Sequence, residues 1–174
     1  WSGVPIVGPC DTIPELIRGN EIDQVFVALP AREVDRAEQI LKFVKSYRPR
    51  DAEVLTTEAA IYDRRGDSPG AIARAEELVR EYPGEVDPVL LLNALYIKAE
   101  AWDQAELLLS QAIQKVPDSA RLRFAQVNVY IARGKIHEAH AKLDKLIAAE
   151  PNVLPYQARL AEIYAREGRL NEAE

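Results

Sequence analysis

Two histidines three residues apart are the first residues whose type and spacing could support chemistry. His137 and His140 would share one face of a helix, and imidazole nitrogens so placed can bind Zn²⁺. No third ligand of suitable type lies close to them in the sequence, so a solvated or packed pair is the favoured interpretation. Cys10 is the single cysteine and therefore cannot form a disulfide within the chain. We predict no metal site and no cofactor.

Three further patterns have both a functional and a structural interpretation. Arg65-Gly66-Asp67 has the composition of an integrin-binding tripeptide, but a turn between helices also needs glycine and polar neighbours. Glu76-Glu77 is better explained as a solvated helix face than as an acid/base pair. Trp102 is better explained as a packing residue than as a ligand contact. No Ser-His-Asp, Cys-His or paired-carboxylate arrangement is evident. The sequence therefore predicts a protein that is not an enzyme.

Composition favours a globular protein and disfavours some partners. Of the 174 residues, 48% are hydrophobic and 29% are charged, which is typical of a folded domain. A net charge of −6 argues against nucleic acid or an anionic membrane as the main partner. No apolar run approaches the roughly 18 residues that a membrane-spanning helix needs. The lack of methionine, and an end within a predicted helix, suggest a piece of a longer protein.

The elements that carry these residues recur every 34 residues. The recurring residues are Tyr62, Tyr96, Tyr130 and Tyr164; Ala37, Ala71, Ala105, Ala139 and Ala173; Pro49, Pro83, Pro117 and Pro151; and Gly66, Gly134 and Gly168. Glu100 occupies the glycine register in the remaining repeat. A period of this length indicates an array of helix pairs, in which each pair buries its apolar face against its neighbours.

This pattern resembles the tetratricopeptide repeat. One repeat matches that family at Val89, Leu92, Tyr96, Ala105, Leu109, Ala112 and Pro117, and the next at Tyr130, Gly134, Ala139, Leu143, Leu146 and Pro151. The family's Leu-Gly pair is the main departure, because it reads Leu92-Asn93, Gln126-Val127 and Leu160-Ala161. The resemblance implies a mainly α fold, an α-solenoid of antiparallel helix pairs. We expect the array to occupy residues 50–174, with repeats at 52–85, 86–119 and 120–153 and a partial repeat at 154–174.

Residues 1–49 do not fit the repeat and predict a small α/β unit. The order of strand, helix, strand and helix is that of a βαβ unit with parallel strands. Residues 24–30 form a continuous apolar run typical of a buried strand, and residues 33–47 predict a helix that caps the array.

This N-terminal stretch is similar to the end of the Rossmann-like, CoA-binding-type domain of bacterial polyprenyl-phosphate sugar phosphotransferases. The matching residues are Pro5, Ile6, Gly8, Asp11, Ile22, Asp23, Val25, Ala28, Leu29 and Pro30. The matching stretch contains no catalytic motif and lacks the first half of a Rossmann unit. The resemblance implies a role in bacterial exopolysaccharide or envelope biosynthesis. It also implies a location in the cytoplasm, at the inner face of the membrane.

The repeat resemblance also implies a concave groove lined by the first helix of each pair. The expected partner-binding residues are Leu90, Ala94, Ile97, Lys98, Arg121, Phe124, Asn128, Ile131 and Arg166. Their apolar middle and cationic rim favour a protein partner that presents an amphipathic helix or an extended apolar segment. The family's carboxylate clamp is not expected, because Phe124 stands where the clamp has lysine. As an alternative, this apolar strip packs against further repeats or against the next helix of the chain itself.

Three functions remain open from the sequence. The first is a scaffold that binds a partner segment in the groove. The second is a non-catalytic module in which a complete Rossmann-like domain senses a nucleotide or nucleotide-sugar, and the third is a piece of a membrane-bound sugar phosphotransferase. We favour the scaffold because the repeats supply most of the residues, although a fold alone does not fix a function.

Overall fold

The computed structural model describes Lys42 and residues 51–167, and residues 51–167 contain seven α-helices and no strand. The helices are α1 (Ala52–Arg64), α2 (Ser68–Glu81), α3 (Val86–Lys98), α4 (Trp102–Lys115), α5 (Ala120–Ala132), α6 (Ile136–Ala149) and α7 (Leu154–Glu167). None of these helices is long and apolar enough to cross a membrane. The predicted mainly α architecture is confirmed for this part of the chain. The predicted α/β unit at 1–49 lies outside it, apart from Lys42, as do residues 168–174.

Polar side chains cap the N-termini of several helices. The carboxylate of Asp51 accepts a hydrogen bond from the backbone N–H of Glu53 at 2.9 Å, at the start of α1. Asp67 caps α2 in the same way through the N–H of Gly70, also at 2.9 Å. The Ser119 hydroxyl accepts from the N–H of Leu122 at the start of α5. These caps satisfy N–H groups that a helix leaves without partners at its first turn.

A left-handed residue ends the first helix of each described pair. Gly66 has a φ of 78° and Gly134 a φ of 79°, and the following residue donates a backbone hydrogen bond across the turn. Glu100 adopts the same conformation, with a φ of 55°, and Ala101 donates to the carbonyl of Tyr96 at 2.8 Å. The turn therefore forms in the second repeat although a side chain is present there.

The helix pairs stack through small residues at the closest contacts. Ala71, Ala105 and Ala139 are fully buried in the second helices of their pairs, as the 34-residue register predicts. Helix α5 packs against both α3 and α4, so first helices contact one another along one side of the array. One core cluster joins Val89 on α3 and Leu109 on α4 to residues of α5. The core therefore runs between repeats, as expected for units that cannot bury their apolar faces alone.

Asn93 is the exception within this core. It is 5% exposed, and its Oδ1 atom has no hydrogen-bond partner within the protein. The equivalent residues of the neighbouring repeats are Ala59 and Val127, which are fully buried without a polar atom in the side chain. A buried acceptor without a partner costs about 1–3 kcal/mol, so this crossing is weaker than its neighbours.

Candidate partner-binding groove

The apolar residues predicted for the groove lie on two adjacent first helices. Leu90 and Ile97 are half-buried on α3 and pack against the core between the second and third repeats, while Ala94 is exposed between them. Phe124 is half-buried on α5. It packs against a different core cluster, the one shared by α5, α6 and α7. We call these four residues the apolar strip.

Ile131 is placed differently from the sequence-based prediction. Its side chain is 3% exposed and belongs to a core cluster with Tyr156 and Ile163 of α7. Arg166 on the same helix donates a hydrogen bond to the carbonyl oxygen of Ile131 at 3.0 Å. Because α7 covers this residue, the accessible groove excludes Ile131. Single-repeat periodicity places it on the inner side of α5, but only the packing of the next repeat determines that it is buried.

An aromatic contact holds Phe124 in place. Its ring centroid lies 4.9 Å from that of Tyr156, and the two rings are inclined at 50°. Tyr156 is itself buried, at 6% exposure, so it provides a fixed support. Aromatic pairs in this geometry contribute about 0.5–1.5 kcal/mol beyond the area that they bury. Phe124 is therefore a positioned apolar anchor on α5.

Each cation of the predicted rim already has a carboxylate partner. Lys98 pairs with Asp63 at 2.6 Å, Arg121 with Asp87 at 2.6 Å, and Arg166 with Glu162 at 2.8 Å. The first two pairs join residues 35 and 34 positions apart, so they link consecutive repeats. These carboxylates were not predicted as partners of the rim cations. The sequence spacing could have identified two of these partners. Asp63 and Asp87 each precede their basic partner by about one repeat length and face the same side of the array.

Asn128 is half-buried on α5, one helical turn beyond Phe124. Its Oδ1 atom is enclosed and has no hydrogen-bond partner within the protein. Buried polar atoms are normally paired with protein or water. Because this atom is not accessible from the groove, it offers no ready acceptor to a ligand.

A second ionic cluster lies away from the groove, where α4 meets the turn between α5 and α6. Glu106 accepts hydrogen bonds from Lys135 at 2.7 Å and from Arg133 at 3.0 Å, and Arg133 also pairs with Asp103 at 2.8 Å. Burial by itself raises the pKa of Glu106, but the hydrogen bonds from the two cations outweigh it, and the net pKa is lowered. This cluster ties the second repeat to the third.

A tyrosine hydroxyl connects the first two repeats. The Tyr96 hydroxyl donates to the Glu76 carboxylate at 2.8 Å and so links α3 to α2. Burial and this acidic neighbour raise the pKa of Tyr96 to about 12. The hydroxyl of this recurring tyrosine therefore forms a polar contact between the first and second repeats.

The other residues that were considered for chemistry have structural surroundings. His140 is half-buried, with its ring edge-on to Tyr164 at 5.4 Å between centroids and its Nε2 atom 3.6 Å from Asp144. Within residues 51–167, no group of three or more His, Cys, Asp or Glu side chains could hold a metal ion. In Arg65-Gly66-Asp67, the glycine forms the left-handed turn and the aspartate caps α2. Trp102 is half-buried as the first residue of α4.

A small cavity lies between the first two repeats and the start of α5. Its volume is about 50 Å³, and its lining includes Val79, Val89, Leu108 and Leu122. Sites for small organic ligands usually measure roughly 300–1,000 Å³. A cavity of this size has room for water but not for a metabolite.

Comparison with known proteins agrees with this architecture. Residues 64–127, from the end of α1 into α5, match the family model described as "Tetratricopeptide repeat". A tetratricopeptide repeat protein from Parabacteroides merdae superposes with a TM-score of 0.71, covering 94% of this chain and 68% of its own, at 18% identity. The fold is that of a tetratricopeptide repeat array.

Two further structures resemble this tetratricopeptide repeat array. A thermophilic TPR protein of Thermus thermophilus is 22% identical, covers 92% of this chain and 82% of its own, and has a TM-score of 0.64. A crystal structure of MamA is 19% identical, covers 86% of this chain and 90% of its own, and has a TM-score of 0.63. The comparison with curated proteins gave no match. At these identities the likeness establishes the fold alone.

Proposed function

We propose that this chain is a protein-interaction scaffold whose concave groove binds a partner segment, either an amphipathic helix or an extended apolar segment. The observation that carries the proposal is the apolar strip of Leu90, Ala94, Ile97 and Phe124, which adjacent first helices present side by side. An apolar helix face laid into a groove is one of the recurring modes of peptide recognition.

The charges around the strip favour an apolar partner over a strongly acidic one. Lys98, Arg121 and Arg166 are each paired with a carboxylate of this chain. An acidic segment would have to compete with those carboxylates for each cation. Apolar contacts with Phe124 and its neighbours do not require any ion pair to be broken. We therefore expect them to supply most of the binding free energy.

Capture of the partner from a lysate of the source organism tests the groove. We expect the chain to retain a specific protein that is lost when the bait carries Leu90→Glu and Phe124→Glu, because two carboxylates would then lie in the apolar strip. A matched bait with Ala148→Glu, an exposed position on α6, controls for added charge. Equal capture by all three baits, with helicity unchanged in circular dichroism, would rule out the groove as the binding site.

A more specific proposal concerns the biological pathway in which the chain acts, and it rests on residues 1–45. Their resemblance to polyprenyl-phosphate sugar phosphotransferases supports a role in exopolysaccharide or envelope assembly, at the cytoplasmic face of a bacterial membrane. The alternative function, a non-catalytic part of such an enzyme that senses a nucleotide-sugar, rests on the same residues. Fractionation of the source cells, followed by calorimetry with nucleotide-sugars, distinguishes the scaffold role from the sensing role. Binding of a nucleotide-sugar supports the alternative, and membrane association without it supports the scaffold.

A further inference from the structure

The joint between the second and third repeats differs from the preceding joint by one carboxylate. Between the first and second repeats, the Glu76 carboxylate on α2 accepts a hydrogen bond from the Tyr96 hydroxyl at 2.8 Å. One repeat later the tyrosine is kept as Tyr130, but Ser110 on α4 occupies the position of Glu76. Two repeats later the position is acidic again, at Asp144 on α6. The joint between the second and third repeats therefore has the tyrosine without the acid.

Two lysines lie at Tyr130. The Nζ atom of Lys135 is 5.2 Å from the centroid of the Tyr130 ring, and the Nζ atom of Lys142 is 5.4 Å from it. Among the residues that the structure describes, no carboxylate pairs with Lys142, and neither Tyr130 nor Ser110 has a hydrogen-bond partner for its hydroxyl. Three side chains at this joint can therefore donate hydrogen bonds to a ligand.

The side chain of Ser110 faces the same cluster. Ser110 follows Glu106 by four residues on α4, so both side chains lie on one face of that helix. From that face, Glu106 accepts hydrogen bonds from Lys135 at 2.7 Å and from Arg133 at 3.0 Å. Ser110 is thus one helical turn from an observed contact with the turn between α5 and α6, and its register sets it against Tyr130.

We propose that this joint contains a binding site for a phosphate group, either inorganic phosphate or a small phosphate monoester, formed by Ser110, Tyr130, Lys135 and Lys142. The phosphate would lie beside Tyr130, in the place that the Glu76 carboxylate has at the preceding joint. We call these four residues the phosphate site.

The charges and donors at the joint favour phosphate over a carboxylate ligand. Two carboxylates, of Asp103 and Glu106, lie among three cations, which are Arg133, Lys135 and Lys142. A phosphate monoester carries about −1.5 to −2 charges at pH 7 and three strong acceptor oxygens. An ammonium group and two hydroxyls can donate to separate oxygens of that group, whereas a carboxylate has only two oxygens. Hydrogen bonds to charged groups are also about twice as strong as neutral ones.

Titration of the 174-residue chain with sodium phosphate at constant ionic strength, followed by ¹H–¹⁵N NMR, tests the site. We expect saturable shifts of the amides around Ser110, Tyr130 and Lys142, with half-saturation on the order of 1 mM. Sodium chloride at the same ionic strength should give no saturable shift. A parallel titration with phenyl phosphate distinguishes the two ligands. Tighter binding than phosphate assigns the site to a monoester, and equal or weaker binding assigns it to the free ion.

Single substitutions distinguish the phosphate site from general charge attraction. Lys142→Gln removes a cation and should weaken phosphate binding at least about tenfold, and Tyr130→Phe removes only a hydroxyl and should weaken it about threefold. Ser110→Glu gives this joint its own carboxylate, as Glu76 does at the preceding joint, and should abolish saturable binding. Gln111→Glu adds the same charge at the next position of α4, which is exposed, and should change binding less than about twofold.

Thermal unfolding followed by circular dichroism gives a second readout and verifies that the variants keep their helicity. Phosphate at about 20 mM should raise the melting temperature of the wild type, because it binds the folded chain, and should not raise that of Ser110→Glu. The absence of a saturable shift up to about 50 mM phosphate would overturn the proposal, as would unchanged binding by Lys142→Gln. Equal losses in Ser110→Glu and Gln111→Glu would also overturn it, because net charge alone would then explain the effect.

Discussion

Glu100 holds a backbone conformation that its residue type disfavours. Its φ of 55° matches the turn that Gly66 and Gly134 form in the neighbouring repeats. For a residue with a Cβ atom, the left-handed region costs roughly 1 kcal/mol more than for glycine. The hydrogen bond from Ala101 to the carbonyl of Tyr96 shows that the helix end retains its form in spite of this cost.

We therefore expect Glu100→Gly to raise the free energy of unfolding by about 0.5–1 kcal/mol. Urea denaturation followed by circular dichroism measures the change. Glu100→Ala removes the same charge but keeps a Cβ atom, so it should give little or no stabilisation. If the two variants are equally stable, the gain comes from the lost charge and the backbone explanation is wrong.

At the level of the helices, periodicity predicted the packing better than it predicted the polar contacts. Three alanines of the 34-residue register, Ala71, Ala105 and Ala139, are fully buried, because a close helix crossing tolerates only a small side chain. The same register could not show that Asn93 is buried without a partner for Oδ1, since that depends on the surrounding helices. Nor could it show that α7 covers Ile131. These properties arise from contacts between repeats, which no single repeat encodes.

The ionic cluster of Glu106, Arg133 and Lys135 makes the joint between the second and third repeats sensitive to acid. Because the pKa of Glu106 is lowered in the folded chain, its contribution is complete above the unfolded pKa and is lost as the pH falls through the folded pKa. At pH 7 we expect Glu106→Gln to lower the free energy of unfolding by about 1 kcal/mol, a value typical of a partly exposed network.

Urea titrations at several pH values check this expectation. The difference between wild type and Glu106→Gln should be full at neutral pH and should shrink once the pH falls below about 4.5, the ordinary value for this group. Glu138→Gln changes an exposed carboxylate on α6 and serves as the control. A difference that is independent of pH would show that the cluster does not act through the charge of Glu106.

For the whole molecule, the sequence predicts a cationic rim for the groove, but it does not predict that the rim cations are paired. Lys98 and Arg121 could be assigned to the rim from their register, yet their pairing with Asp63 and Asp87 depends on how consecutive repeats are rotated. That rotation follows from side-chain packing along the whole array and not from any local pattern. The predicted cationic rim therefore consists of paired charges: two of the ion pairs connect consecutive repeats, and that of Arg166 with Glu162 lies within α7.

The most direct test of the central claim is titration calorimetry of the chain with the partner segment that the capture experiment identifies. We expect a negative heat-capacity change, because apolar surface is buried, and an affinity that changes less than about threefold between 0.05 and 0.5 M salt, because the rim charges are already paired. Phe124→Glu should abolish binding, and Ala148→Glu should not. An affinity that falls tenfold or more with salt, or that is unchanged in Phe124→Glu, would contradict an apolar groove as the binding site.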